Sequence, residues 1–152
     1  MKLTEIPEIV NWSVTHYVFV EKVGPFQETA QKAWEQFHKN LPDISKGSKV
    51  SGFMALYKMQ PQMIYRAGAA VDSQPENLAP DLKYIKFEGG KYSKFVLTGS
   101  YKNLPEACGK VFDMVKQLKI SVRDNFYIEN YANDPKTTPE DQLITEILIP
   151  TN

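Results

Sequence analysis

FYIENYANDPKTTPEDQLITEILIP, residues 126–150, holds two strand-like runs, each with one carboxylate, joined by a polar loop that Pro135 and Pro139 punctuate. Side chains alternate along an extended backbone, so Tyr127, Glu129 and Tyr131 share one face of the first run, with Phe126, Ile128 and Asn130 on the other. One acid therefore lies between two phenols. In the second run Ile144, Glu146 and Leu148 share a face, and Thr145, Ile147 and Ile149 take the opposite one. A carboxylate among apolar side chains costs free energy unless it is solvated, hydrogen-bonded or matched to a cation. A ligand site would supply the cation. Taken singly, each acid is as well explained by facing water.

Outward from this stretch, composition narrows the class. A chain of 152 residues, 42% hydrophobic and 12% aromatic, fits one ordinary globular domain with a sizeable core. Lys plus Arg and Asp plus Glu balance at 18 each, which leaves no long-range field to gather nucleic acid. Its arginines are Arg66 and Arg123, so the residue best suited to phosphate and base edges is scarce, and direct nucleic-acid binding is not expected. Cys108 is the single cysteine; that fits a reducing compartment, and a cytoplasmic protein without membrane segments is expected.

In chain order, residues 1–13 read as a short lead-in with Pro7. Val14 to Val23 is rich in β-branched and aromatic residues and predicts a strand that stops at Gly24-Pro25. Phe26, Ala30, Ala33, Trp34 and Phe37 recur at helical spacing, predicting a helix over about 26–39. Pro42, Asp43 and Gly47 mark Leu41 to Lys49 as a loop. Strands are predicted over 52–59 and 63–71 around a Gln60-Pro61 turn, and a shorter one over 82–87. Tyr92 to Tyr101 reads as a strand. Asn103, with Glu106 three residues on, has the chemistry of a helix start, and the helix should run to about Leu118 with Leu104, Ala107, Cys108, Val111, Val115 and Leu118 inward. Cys108 is thus better read as packing than as a nucleophile.

The order repeats. Phe19-Val20 leads to Gly24-Pro25-Phe26, a helix and two strands; Phe95-Val96 leads to Gly99-Ser100-Tyr101, a helix and two strands. An α+β fold follows: duplicated β-α-β-β units forming a mainly antiparallel curved sheet, two helices on one face and a ligand groove on the other. The repeats should cover about 14–71 and 92–150 of a single domain over 14–150. His16 and His38 lack metal-ligand spacing, and Gly89-Gly90 lacks the helix and Lys-Ser/Thr pair of a phosphate cradle, so neither metal nor cofactor is expected.

Phe126-x-x-Glu129-x-Tyr131, Asn133-Asp134-Pro135, Thr138-Pro139-Glu140, Thr145-Glu146-Ile147 and Ile149-Pro150 together resemble the C-terminal signature of the GyrI-like small-molecule-binding domains. These are also the effector-binding domains of AraC- and MerR-type multidrug regulators. Gly89-Gly90-Lys91-Tyr92 is similar to the family's Gly-x-Tyr-Ala segment, with Ser93 where Ala is usual. The resemblance spans about 12–150 and is most specific in its last third. It implies a groove for aromatic, often cationic, small molecules, with a buried Glu as counter-charge and aromatic walls. By position Glu129 is that acid with Tyr131 beside it and Tyr127 on the same face; Glu146 is a second acid, and Tyr57, Tyr65 and Tyr92 are candidate wall residues whose facing the sequence leaves open, a packing role serving as well.

No basic helical module precedes Val14, so a stand-alone member is expected, and three functions compete. The first is a module that senses or sequesters a hydrophobic, aromatic or cationic molecule. The second is a hydrolase of strained electrophiles, with Glu129 as general base and Tyr131 or another groove Tyr as donor. The third is a protein-interaction role of gyrase-inhibitor type, with a DNA gyrase-like partner, which the balanced charge does not favour. Ligand identity and oligomeric state are not written in the sequence.

Overall fold

The computed structural model describes residues 1–152 and divides into two compact units, Ser13–Gly89 and the pair of segments Met1–Trp12 and Gly90–Asn152. Lys2–Leu3 (β1) and Glu8–Trp12 (β2) open the chain. The unit Ser13–Gly89 contains Thr15–Val23 (β3), Phe26–Gly47 (α1), Val50–Lys58 (β4), Ile64–Val71 (β5) and Lys83–Phe87 (β6). The remainder contains Gly90–Thr98 (β7), Leu104–Gln117 (α2), Tyr127–Tyr131 (β8) and Ile144–Pro150 (β9). The class is α+β with antiparallel strands, and the β-α-β-β order occurs twice.

Within Ser13–Gly89 the strands lie in the order β4-β5-β3-β6, each pair antiparallel. Register fixes two faces. Val18 and Val20 oppose Ala69 and Ala67, which in turn oppose Phe53 and Ala55; α1 packs on this face through Ala33 and Phe37. The other face carries Tyr17, Phe19, Met54 and Leu56, all fully buried. Tyr17 stacks on Phe19 and donates its hydroxyl to the Met54 carbonyl at 2.8 Å. Its ring lies over Gly68, where a Cβ would come within 2.3 Å of the Val18 carbonyl oxygen and 2.8 Å of the Tyr17 ring. Only glycine fits there.

The helix α1 outruns the expected 26–39. Pro42 lies inside it and forfeits one backbone hydrogen bond. The last turn nonetheless forms, because Ile44 is buried and the Ser48 N–H closes on the Ile44 carbonyl at 3.0 Å. One buried side chain outweighs one missing donor.

In the second unit β1 and β2 both pair with β7, which continues to β9 and then β8. Residues expected to be a lead-in are therefore strands: Glu8 to Trp12 run opposite Lys94 to Gly90. The helix α2 packs Ala107, Val111 and Val115 on Phe95, Leu97, Ile147 and Ile149; Leu118, expected inward, lies just past the end of the helix and is exposed. Asn103 makes no side-chain cap. Instead Ser100 accepts the Lys102 N–H at 3.2 Å and opens a 3-10 turn, Tyr101–Asn103, that leads into α2 with Pro105 in its first turn. Gly24 and Gly99 both take φ near 130°, at +133° and +130°, so the two strand-to-helix turns share a conformation reserved for glycine.

Candidate functional site

Register decides which way Glu129 points. It opposes Ile147, whose side chain packs under α2, and Tyr127, two residues earlier, meets Phe112 of α2 edge-on at 5.9 Å between ring centroids. Glu129, Tyr127 and Tyr131 thus lie on the helix-bearing face. The groove was expected on the face opposite the helices. There, in this unit, Ile128, Leu148 and Tyr92 are fully buried.

The Tyr131 hydroxyl donates to Glu129 Oε1 at 2.6 Å, a short, charge-assisted bond. Burial raises the Glu129 carboxyl above its ordinary value, and the Tyr131 bond only partly offsets this. No cation is paired with Glu129 inside the unit, so burial disfavours its charged form more than water would. The Tyr101 ring meets Tyr131 edge-on at 5.5 Å. Its hydroxyl is enclosed and has no hydrogen-bond partner. Burial, then the charges of Asp134 and Glu129, push the Tyr101 phenol up. Thr145, opposite Tyr131 in register and fully buried, has an unpartnered Oγ1 as well. An unmet buried donor costs about 1–3 kcal/mol. Cys108, on α2, has its thiol pushed up to about 12 by burial and by Glu129. It is a poor nucleophile.

Glu146 lies on the opposite face. Asn130 Nδ2 donates to its Oε1 at 2.8 Å and Lys94 Nζ is 3.4 Å from its Oε2. Glu129 and Glu146 are therefore not brought together. Tyr92 shares the face of Lys94: its hydroxyl donates to the Phe126 carbonyl at 2.7 Å, and the Arg123 guanidinium sits 5.1 Å from its ring centroid. Arg123 also donates to the Lys91 carbonyl at 2.9 Å, passing beside Gly90, where a Cβ would be 3.0 Å from the guanidinium. Gly90 and Tyr92 thus form a structural clasp with Arg123.

Tyr57 and Tyr65 are cross-strand partners on the α1 face of the other unit. Phe26 meets both rings, at 5.5 and 5.6 Å, and Trp34 Nε1 donates to the Tyr65 hydroxyl at 2.8 Å. Asn133 and Asp134 build the loop after β8: Asn133 Oδ1 accepts the Ile144 N–H at 2.9 Å, and Asp134 Oδ1 accepts the Lys136 N–H at 2.8 Å. Tyr101 and Thr145 were not singled out as site residues. Tyr101 fills the place that Phe26 fills in the first repeat, and a polar ring at a repeated apolar position was the available signal. Surface clefts of about 370 Å³, at Met1, Leu3 and Lys110, and 680 Å³, at Phe112, Ile120 and Val122, do not contain Glu129.

Known structures share this architecture. The EcmrR C-terminal domain aligns over 100% of this chain and 99% of its own, with a TM-score of 0.80 and 14% identity. SAV2435, solved bound to tetraphenylphosphonium, aligns over 96% of this chain and 93% of its own, with a TM-score of 0.74 and 17% identity. A hydrolase from Listeria innocua aligns over 98% and 93%, with a TM-score of 0.60 and 11% identity. No curated protein matches the chain. No helix is long and apolar enough to cross a membrane. The family model for the GyrI-like small molecule binding domain matches residues 6–151, and the chain belongs to that family.

Proposed function

We propose that this protein binds lipophilic, aromatic cations against the helix-bearing face of β8, with Glu129 as the counter-charge and Tyr131 holding its carboxylate. The observation that carries the reading is a partly buried carboxylate bonded to a phenol and unmatched by a cation in its own unit. Such a group is stabilised by a desolvated positive charge, and the rings of Tyr131 and Tyr127 add cation-π contacts of about 0.5–2 kcal/mol each. The tetraphenylphosphonium complex of SAV2435 supports the ligand class. We read residues 14–150 as one functional domain of two repeats, about 14–71 and 92–150. Its lone cysteine suits the cytoplasm.

Isothermal titration of the wild-type chain and Glu129→Gln with tetraphenylphosphonium tests this. Loss of a buried charge interaction of about 1.5–3 kcal/mol should weaken binding by roughly 10- to 100-fold. Equal affinities would remove Glu129 from the site.

The same pair favours a second reading, hydrolysis of a strained electrophile. A carboxyl raised by burial is a better base, and Tyr131 holds it in place. Incubation with an epoxide and mass-spectrometric detection of the diol separates the two readings. Turnover that vanishes in Glu129→Gln supports hydrolysis, and an unchanged substrate supports binding alone.

A further inference from the structure

We infer that Tyr101 is a specificity-determining residue of this site, a hydrogen-bond donor that selects cations carrying an acceptor close to their charged centre. The inference rests on the reading of Glu129 as counter-charge and names the ligand chemistry that reading leaves open. Its ground is the geometry around Tyr131. On one side stands Glu129, an acceptor, held at 2.6 Å by the Tyr131 hydroxyl. Against the same ring, at 5.5 Å between centroids, stands Tyr101, whose hydroxyl is enclosed without a partner. Opposite Tyr131 in register is Thr145, fully buried, with a second unpartnered hydroxyl.

Enclosed donors without acceptors are uncommon in folded proteins and call for a reason. A purely packing role would be filled as well by Phe, the residue at the matching turn of the first repeat, Phe26. Tyr101 stays a donor at all physiological pH, because burial and the nearby charges of Asp134 and Glu129 disfavour its ionised form. Glu129, an acceptor in its ionised form, near the donor Tyr101 complements a ligand in which an ammonium N–H lies a few bonds from an ether, carbonyl or ring-nitrogen acceptor. A cation without an acceptor, such as tetraphenylphosphonium, satisfies only the first. Sites built to bond a polar group discriminate strongly against analogues that lack it.

The test titrates the full chain, as wild type, Tyr101→Phe, Thr145→Val and Glu129→Gln, with two probes. Diphenhydramine is a protonated aromatic amine with an ether oxygen, and tetraphenylphosphonium has no acceptor. Tyr101→Phe should weaken diphenhydramine roughly five- to tenfold while tetraphenylphosphonium changes by less than about twofold. Its melting temperature should not fall, since only an unmet donor is removed. Equal changes on both probes, no loss on diphenhydramine, no binding of diphenhydramine by the wild type, or a loss confined to Thr145→Val would each overturn the assignment. Glu129→Gln reports separately: if it leaves both affinities intact, the counter-charge reading itself has failed, whereas a strong Glu129→Gln effect beside a silent Tyr101→Phe overturns only the role of Tyr101.

Discussion

Because burial holds the Glu129 carboxyl above its ordinary value, stability and binding respond to pH with opposite sign. The fold favours the protonated acid, so as pH rises from the unfolded-chain value through the raised folded value, the wild type loses stability relative to Glu129→Gln. Above that window the difference is constant. Thermal unfolding of the two proteins over pH 4 to 8 should show the curves diverging and then running parallel; curves that stay parallel throughout would contradict the raised carboxyl. A permanent cation needs the ionised acid, so affinity for tetraphenylphosphonium should climb through the same window and then level off. The alternation of Tyr127, Glu129 and Tyr131 was legible in the sequence. Which face they occupied was not, because alternation defines two sets without saying which one a helix covers. The pairing of Glu129 with Ile147 settles it, and strand register is a long-range property.

At the scale of elements, strand-to-helix turns were readable from Gly24-Pro25 and Gly99-Ser100, where glycine alone tolerates the backbone conformation. The end of α1 was not, because Pro42 is a local signal and the burial of Ile44 a tertiary one. The strand β2 escaped notice for a related reason: Ile9 is 58% exposed, so its apolar residues show no period. Gly68 illustrates a constraint that no local pattern reveals. Replacing it with Ala lowers the backbone entropy of the unfolded chain, a small gain for the fold, but the new methyl would drive into the Val18 carbonyl and the Tyr17 ring. We expect Gly68→Ala to cost about 1–3 kcal/mol in urea unfolding, as overpacked cores do. A neutral substitution would show that Tyr17 can move aside, which its bond to the Met54 carbonyl opposes.

For the whole molecule, the two β-α-β-β runs made the fold class legible in the sequence. The proposed site was only half legible, since the acid and its phenols were written in one motif while Tyr101 lay in another part of the chain. Binding to the folded state alone stabilises it by mass action, about 2.7 kcal/mol at a hundred times Kd. For a chain of this size that corresponds to a melting shift of roughly 5–11 °C with tetraphenylphosphonium, and the shift should shrink sharply in Glu129→Gln at the same concentration. The segment Met1–Trp12 joins Gly90–Asn152 in one compact unit although all of Ser13–Gly89 intervenes. On the ribosome, β1 and β2 must therefore wait unpaired until β7, which accepts both, has been translated. Synthesis order thus favours Ser13–Gly89 folding before Met1–Trp12 pairs with Gly90–Asn152.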